Sequence, residues 1–537
     1  MSTLADLPPI TAALLAITVS LIVLPYLRRR YPDLHPFALH HQSSVSPVRN
    51  PDESAVHRSV LTPFTYPLVS GLNIRDGHSF RDGDLRDIWH LAKQARLGYF
   101  SKSKAKIIYH DVESELSPMV HSVAARFNQY VPGVKRVGIY LPNSIENVIT
   151  SFACAHYDIA TVLLPLLDDM GELERHIDAS QPEILVFEAG VIDFTTLALP
   201  LSVKALVIVV NAPQSHLDWT EQLQNTMGHR IAIVTWHNLV SSFPSGESTP
   251  SSTGDALGDG SYTGTAIIST YLTASGQVEL ANFSHRNIVS AVAAQLRVIP
   301  QAQQWKPADI IVPAESLHHL YSRILFLAAL TAGSTVIFAG VSGEGYDREA
   351  IKFINPTILI STAGALVDIV NHKLSLFERL KLQRASGILG SGNLPSPVLR
   401  IFPSLRILYT HEEQPPGVST TSRSIHIEDS HYTSLHSADL SKLRALLGTH
   451  VVYALTHARV AGAICQTHVY DYRNEGSVRT FGPVVPAIEA IVRDAEDFKG
   501  GDRQGQLIIR GLPTADKGWV STGIIGQWDS DGIFREI

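Results

Sequence analysis

Hydrophobic and polar positions fall into two kinds of block along this chain. The first stands apart from everything after it. From Pro8 to Leu27 the sequence PPITAALLAITVSLIVLPYL carries no charge, and it stops at Arg28, Arg29 and Arg30. About twenty apolar-rich residues are enough to cross a bilayer core as a helix. The arginines follow the run and no Lys or Arg precedes it, so the pattern predicts a single-pass anchor over residues 1–30, with the bulk of the chain cytosolic. A cleaved signal peptide is the competing reading, but its basic start and small-residue cleavage site are missing. Residues 31–90 open on a stretch rich in Pro, His and Ser and read as a connector.

The second kind of block is short, apolar and β-branched. It recurs at Val137–Leu141, Thr161–Pro165, Ile184–Phe187, Ala205–Val210 and Ile231–Thr235, with helix-compatible segments such as Ile145–Tyr157 and Asp169–Ala179 between. Continuous apolar runs alternating with helices predict buried parallel strands in a layered α/β domain, here residues 91–475. A polar Gly/Ser/Pro loop interrupts it at Pro244–Gly264. The pattern resumes at Ala266–Ser269, Ser334–Phe338 and Thr357–Ser361, and in the runs LRILY and VVYAL. Residues 476–537, with QLIIRG and turn-rich pieces, predict a smaller β-rich subdomain. No internal repeat is visible.

Composition narrows the function classes. A chain of 537 residues should divide into at least two packed units, and 45% hydrophobic with 17% charged residues is ordinary for a large-cored globular protein. The net charge of -7 leaves no basic stripe, which excludes the usual footprint of a nucleic-acid binder. Two cysteines, Cys154 and Cys465, both in apolar stretches, fit a reducing compartment. The pairs His40-His41 and His318-His319 lack Cys or carboxylate partners at ligand spacing and read as surface or satisfied core residues, with no metal site. Neither GxSxG, HExxH nor a P-loop Gly-x-x-x-x-Gly-Lys-Ser/Thr occurs, which weighs against a hydrolase.

Five stretches carry a resemblance, in order: VGIYLPNSIEN at Val137–Asn147, LHHLY at Leu317–Tyr321, VYALT at Val452–Thr456, GQLIIRG at Gly505–Gly511 and GWVSTGIIGQWDSDG at Gly518–Gly532. Together they resemble the adenylate-forming (AMP-binding) superfamily, in its long-chain fatty acyl-CoA synthetase branch, from about Pro36 to Ile537. The resemblance implies the family's large layered domain and endoplasmic-reticulum membranes as its setting. It also implies, for active members, use of ATP, Mg²⁺ and coenzyme A.

The family's nucleotide-site positions depart from pattern one by one. The phosphate loop, Y-T-S-G-T-T-G-x-P-K-G, corresponds to Thr270–Leu280, TYLTASGQVEL. Ser275 and Gly276 stand in place, whereas Thr273 replaces the first Gly, Leu280 the last, and Glu279 the Lys. Such loops need Gly for close backbone approach to phosphate oxygens. At an effective dielectric near 20 a unit pair at 4 Å is worth ~4 kcal/mol, so Lys to Glu is a swing of up to ~8 before screening. In Y-G-x-T-E the stretch Tyr453 to His457 keeps the Tyr and Thr456 but sets His457 at the Mg²⁺-holding acid, and a neutral imidazole is a poor ligand for Mg²⁺. Tyr453 reads as a buried strand residue rather than an adenine platform. In T-G-D, Gly523 is followed by Ile524, which offers the ribose hydroxyls nothing. The chain ends near where the family's hinge begins, so its C-terminal domain is expected to be absent. These departures imply no catalytic residue and no cofactor: a membrane-anchored pseudoenzyme that binds fatty acyl chains or an active synthetase. An active fatty acid–CoA ligase with a divergent nucleotide site is the alternative.

Overall fold

The computed structural model describes residues 8–27, 31–76, 78–102, 104–167, 169–192, 197–210, 231–241, 264–273, 275–340, 347–414, 434–495 and 498–537. Arg28–Arg30 and nearly all of the polar loop expected at Pro244–Gly264 lie outside the described residues.

Three large sheets carry the structure. The first runs, in spatial order, Ala232–Thr235, Ala205–Val209, Ile184–Glu188, Arg136–Tyr140, Ala160–Leu163, Thr265–Leu272 and Val278–Ser284. Every neighbouring pair in it is parallel except the final hairpin. The second runs Ala463–Gln466, His450–His457, Ile407–Gln414, Ile358–Ile360, Ile310–Pro313, Thr335–Phe338, Arg96–Ser101 and Lys106–Asp111, parallel inside and antiparallel at both edges. Its strand His450–His457 is buried at every position, and so is Ile184–Phe187 in the first sheet. Burial on both faces is why these strands are written as unbroken apolar runs rather than alternating ones.

Helices fix the layers. Ile145–His156 starts on Ser144, whose side chain accepts from the Asn147 amide, and Met170–Ser180 starts on Asp169 and ends at Gln181 in the left-handed conformation. Leu320–Thr331 is buried from Leu320 to Leu330, Arg323 included. A helix apolar on all sides belongs inside the core, and this one stands beside the strands Ile310–Pro313 and Thr335–Phe338. The Arg323 guanidinium is accommodated because it donates to Leu317 O, Ser151 Oγ and Asn147 Oδ1.

The third sheet is antiparallel: Ser43–Val45, His57–Ser59, Ile488–Arg493, Gln504–Gly511, Val520–Trp528, Phe534–Glu536 and Thr480–Gly482. Its first two strands come from the stretch read as a connector. His57 pairs with Ala490 and Arg58 with Glu489, so the small β-rich unit is completed by residues from more than 400 positions earlier. Polar composition hid these strands, because each is only three residues long.

Pro9–Leu27 is a helix of 19 residues whose large apolar side chains, from Ile10 to Val23, are exposed all round. Among the described residues no helix is long and apolar enough to cross a membrane, so the expected transmembrane span is not supported. At about 1.5 Å per residue the helix is about 28 Å long, slightly short of a hydrocarbon core of about 30 Å. Thr11 and Thr18 also set hydroxyls along it, each donating back to a backbone carbonyl.

Candidate functional site

Ligand sites in open parallel sheets lie beyond the carboxyl ends of the strands. Here the ends of both parallel sheets contribute to one cavity of about 160 Å³. Pro165 and Leu167 follow one strand of the first sheet and Ser269–Leu272 end another. His318, His319, Glu413 and Ala458 come from the second sheet, and His176 and Glu172 from the helix Met170–Ser180.

The rim of this cavity is the hairpin that closes the first sheet. Its turn holds the positions expected as the phosphate loop, and it is bonded to itself. The Thr273 amide donates to Gln277 O at 2.8 Å and the Gly276 amide to Thr273 O at 2.9 Å. Thr273 Oγ1 donates to Gln277 O, accepts from the Gln277 amide and lies 2.9 Å from Ser275 Oγ. Gly276 has φ +76°, where a Cβ would be strained, which explains why this glycine stays. The turn thus uses its Thr273, Gly276 and Gln277 amides inward.

Glu279 lies on the returning strand, opposite Tyr271. Arg459 reaches it from the loop after His457: the guanidinium bonds Glu279 Oε2 at 2.8 Å and donates to the Tyr271 hydroxyl at 2.9 Å, while Tyr271 donates to Glu279 at 2.8 Å. A second carboxylate, Asp516, stands 3.5 Å from the same guanidinium. Arg459, and after it Tyr271, hold the Glu279 carboxyl below its ordinary range. The charge reversal expected at the loop is therefore answered within the chain, and the ~8 kcal/mol swing of an uncompensated reversal is too large. This clasp ties the edge of the first sheet to the end of the second.

Tyr453 is fully buried, with its hydroxyl donating to Glu412 Oε2 at 2.6 Å and accepting from the Leu435 amide, and its ring packs on Phe481. Thr456 donates to Glu412 O and lies 3.1 Å from His411 Nδ1. His411 Nε2 is 2.7 Å from Glu315 Oε1, Ser322 donates to the other oxygen, Oε2, and these partners hold the Glu315 carboxyl down at about 2 against the effect of burial. His457 is buried; its Nδ1 accepts from the Arg459 amide and burial lowers its pKa to about 4. Burial also lowers His176 to about 4, and its Nδ1 stands 2.8 Å from Thr270 Oγ1. Thr270 donates to Leu163 O, so the ring nitrogen is the donor to Thr270.

Gly523 and Ile524 lie elsewhere, on the third-sheet strand Val520–Trp528. Gly523 has φ +76°, Thr522 donates to Leu507 O, and the Ile524 side chain is packed in the apolar core. The structure thus joins Thr273, Ser275, Gly276 and Glu279 to the neighbourhood of His457 through Arg459, and Thr456 to His411. Sequence reasoning missed Arg459, Tyr271, His176 and the Glu315–His411 pair, and set His318 and His319 aside as satisfied histidines although both face the cavity. A cation two residues past His457 was the one legible hint. Among the described residues no cluster of His, Cys, Asp or Glu is arranged to hold a metal ion.

Residues 280–517 match the family model described as AMP-binding enzyme. That stretch, somewhat less than half of the chain, is similar to an AMP-binding enzyme domain. The match begins at Leu280, directly after the hairpin turn and Glu279. Over most of its length the chain shares the α/β fold of solved adenylate-forming enzymes. It aligns with the anthranilate CoA ligase AuaEII, solved with anthranoyl-AMP, at a TM-score of 0.60 and 13% identity over 84% of this chain and 77% of that one. It also aligns with the N-terminal domain of FACL13 from Mycobacterium tuberculosis, at a TM-score of 0.58 and 13% identity over 85% of this chain and all of that one. In sequence the chain is similar to the uncharacterized Saccharomyces cerevisiae protein YHR045W, 24% identical over 93% of this chain and 90% of that protein. The cavity and clasp lie where the two parallel sheets meet, built partly from residues ahead of the AMP-binding match and partly, through His318, His319, Glu413 and Arg459, from residues within it.

Proposed function

We propose that this chain is a non-catalytic member of the fatty acid–CoA ligase group, attached to a membrane and working by binding rather than by adenylation. The observation that carries the reading is the Arg459–Tyr271–Glu279 clasp across the rim of the cleft. It sets a carboxylate where the resemblance calls for a lysine, and it binds the Arg459 cation to that carboxylate. The cavity behind it, about 160 Å³, is about half the lower limit of ordinary small-molecule sites, ~300 Å³. With Ile524 in the core and His457 neutral, these residues do not suit a magnesium–triphosphate. The test is calorimetry of Mg²⁺–ATP with the full chain; micromolar affinity removes the reading.

One observation favours a second reading. Arg459 returns a cation to the rim, and a ligase with a rearranged nucleotide site would use it once Glu279 let go. Pyrophosphate release from palmitate, ATP and coenzyme A distinguishes the two, and turnover abolished by Arg459→Ala would establish the alternative.

Membrane attachment through the helix Pro9–Leu27, with the bulk of the chain on the cytosolic face of the endoplasmic reticulum, is part of the proposal. The exposure of apolar side chains on every side of that helix supports it. Release of the chain from membranes by salt alone would refute it. Its binding partner under this reading is a fatty acyl chain or an active synthetase.

A further inference from the structure

The helix Leu376–Gly390 presents two unlike faces. Ala385 and Leu389 are buried, while Leu376, Phe377 and Leu380 in its first turns are 79%, 67% and 66% exposed. At about 100° per residue these three share an arc of about 100° with Arg384, and Lys381 stands between that arc and the buried Ala385 and Leu389. Lys373, Arg379, Lys381 and Arg384 are all exposed, in a chain whose net charge is -7. The single carboxylate of the helix, Glu378, bonds the Ser375 amide and hydroxyl as its N-terminal cap. Lys381 covers the Phe377 ring at 4.6 Å, so cation and aromatic form one surface. Exposed apolar residues ringed by cations are the pattern of a helix that lies in the headgroup layer of an anionic bilayer.

The connector fixes where this patch sits. Leu34, Pro36 and Leu39 line one cavity of about 490 Å³ together with Leu382, Ser386 and Leu389 of the helix. The Asp33 amide donates to Gly392 O at 3.0 Å, just past the helix end. Asp33 is only six residue steps beyond Leu27, at most about 20 Å of extended chain. A membrane that holds the N-terminal helix therefore holds Leu376–Gly390 within reach of its surface. Tyr31, exposed on the intervening segment, is a residue type that favours the interface.

We propose that Leu376–Gly390 is a membrane-docking element. Leu376, Phe377 and Leu380 would enter the interface, and Lys373, Arg379, Lys381 and Arg384 would meet anionic lipid headgroups. The inference extends the membrane attachment proposed above, and the two fail in different ways. Gly387 is the reporter position: it is exposed, and a Cβ there meets nothing within 4 Å. Cys154 and Cys465 are buried, so a Gly387→Cys variant of the full chain takes an environment-sensitive fluorophore at that site alone. On flotation with phosphatidylcholine–phosphatidylserine vesicles the label should brighten and shift to the blue. Lys381→Glu with Arg384→Glu should weaken binding to these vesicles at least about tenfold while leaving binding to pure phosphatidylcholine unchanged. A chain that floats with its label still in a water-like state overturns the inference and leaves N-terminal attachment standing. A chain that does not float with either vesicle overturns both. Brightening that needs no vesicles and grows with protein concentration marks the patch as a contact between two copies of the chain and likewise overturns it.

Discussion

Reversing the charges of the clasp gives a quantitative test of what Glu279 does. Glu279→Lys removes the Arg459 pair and sets two cations face to face. Arg459 is 37% and Glu279 42% exposed, so solvent screens the pair and its loss costs about 1 kcal/mol at most. Repulsion of two cations about 4 Å apart adds about 1 kcal/mol in a water-like dielectric. The single variant should thus be about 2 kcal/mol less stable, and Arg459→Glu, which also loses Asp516 as a partner, should cost at least as much. The double variant restores a pair of opposite polarity and should recover at least about 1 kcal/mol of the sum. The assay is urea unfolding of the four proteins of the cycle, with Mg²⁺–ATP calorimetry on each. Effects that add to within about 0.3 kcal/mol would show that the residues do not act together. Micromolar ATP binding gained by Glu279→Lys alone would show that one side chain, and not the self-bonded turn and buried Ile524, closes the site.

Acid should unfold the protein early. Burial depresses His57 to about 3 and His176, His450 and His457 to about 4. Each has a folded pKa below its unfolded value near 6.5, so the unfolded chain takes the proton first. The stability they leave intact is whole above pH 6.5 and is lost as pH falls toward 4, at about 3 kcal/mol for each of those near 4. Near-ultraviolet circular dichroism should collapse cooperatively between about pH 6 and 4, and a native spectrum at pH 4 would contradict the burial argument. Ile524→Asp, which reinstates the family's acid, should cost about 3 kcal/mol or more by thermal denaturation, because it buries a carboxylate with no partner. Tyr453→Phe should cost about 1.5–3 kcal/mol in urea unfolding by removing the bond to Glu412, whereas a ring that served only as a stacking platform would tolerate the change.

Much of the architecture was legible because parallel strands covered on both faces need continuous apolar side chains, and that need is local. The runs at Val137, Ile184, Ala205 and Val451 mark strands to within a residue or two for this reason. The three-residue strands Ser43–Val45 and His57–Ser59 were not legible, since they exist only as partners of a sheet assembled from the far end of the chain. The N-terminal stretch shows the limit of counting. Twenty uncharged residues mark an apolar helix, but length against bilayer thickness decides whether it spans.

At the cleft the division is sharper. The resemblance alone set a glutamate, a histidine and an isoleucine at the positions where it calls for the phosphate-loop lysine, the metal-holding acid and the ribose-binding aspartate. They could not supply what surrounds those residues. Arg459 lies 180 positions from Glu279 and His411 96 from Glu315. Electrostatic energy depends on distance in space and on exposure, neither of which is written in the order of the chain. The sequence determined which groups are present. Only the tertiary structure decided that the Glu279 carboxylate has a cation to answer it, that the Thr273, Gly276 and Gln277 amides are already bonded, and that Tyr453 serves the core.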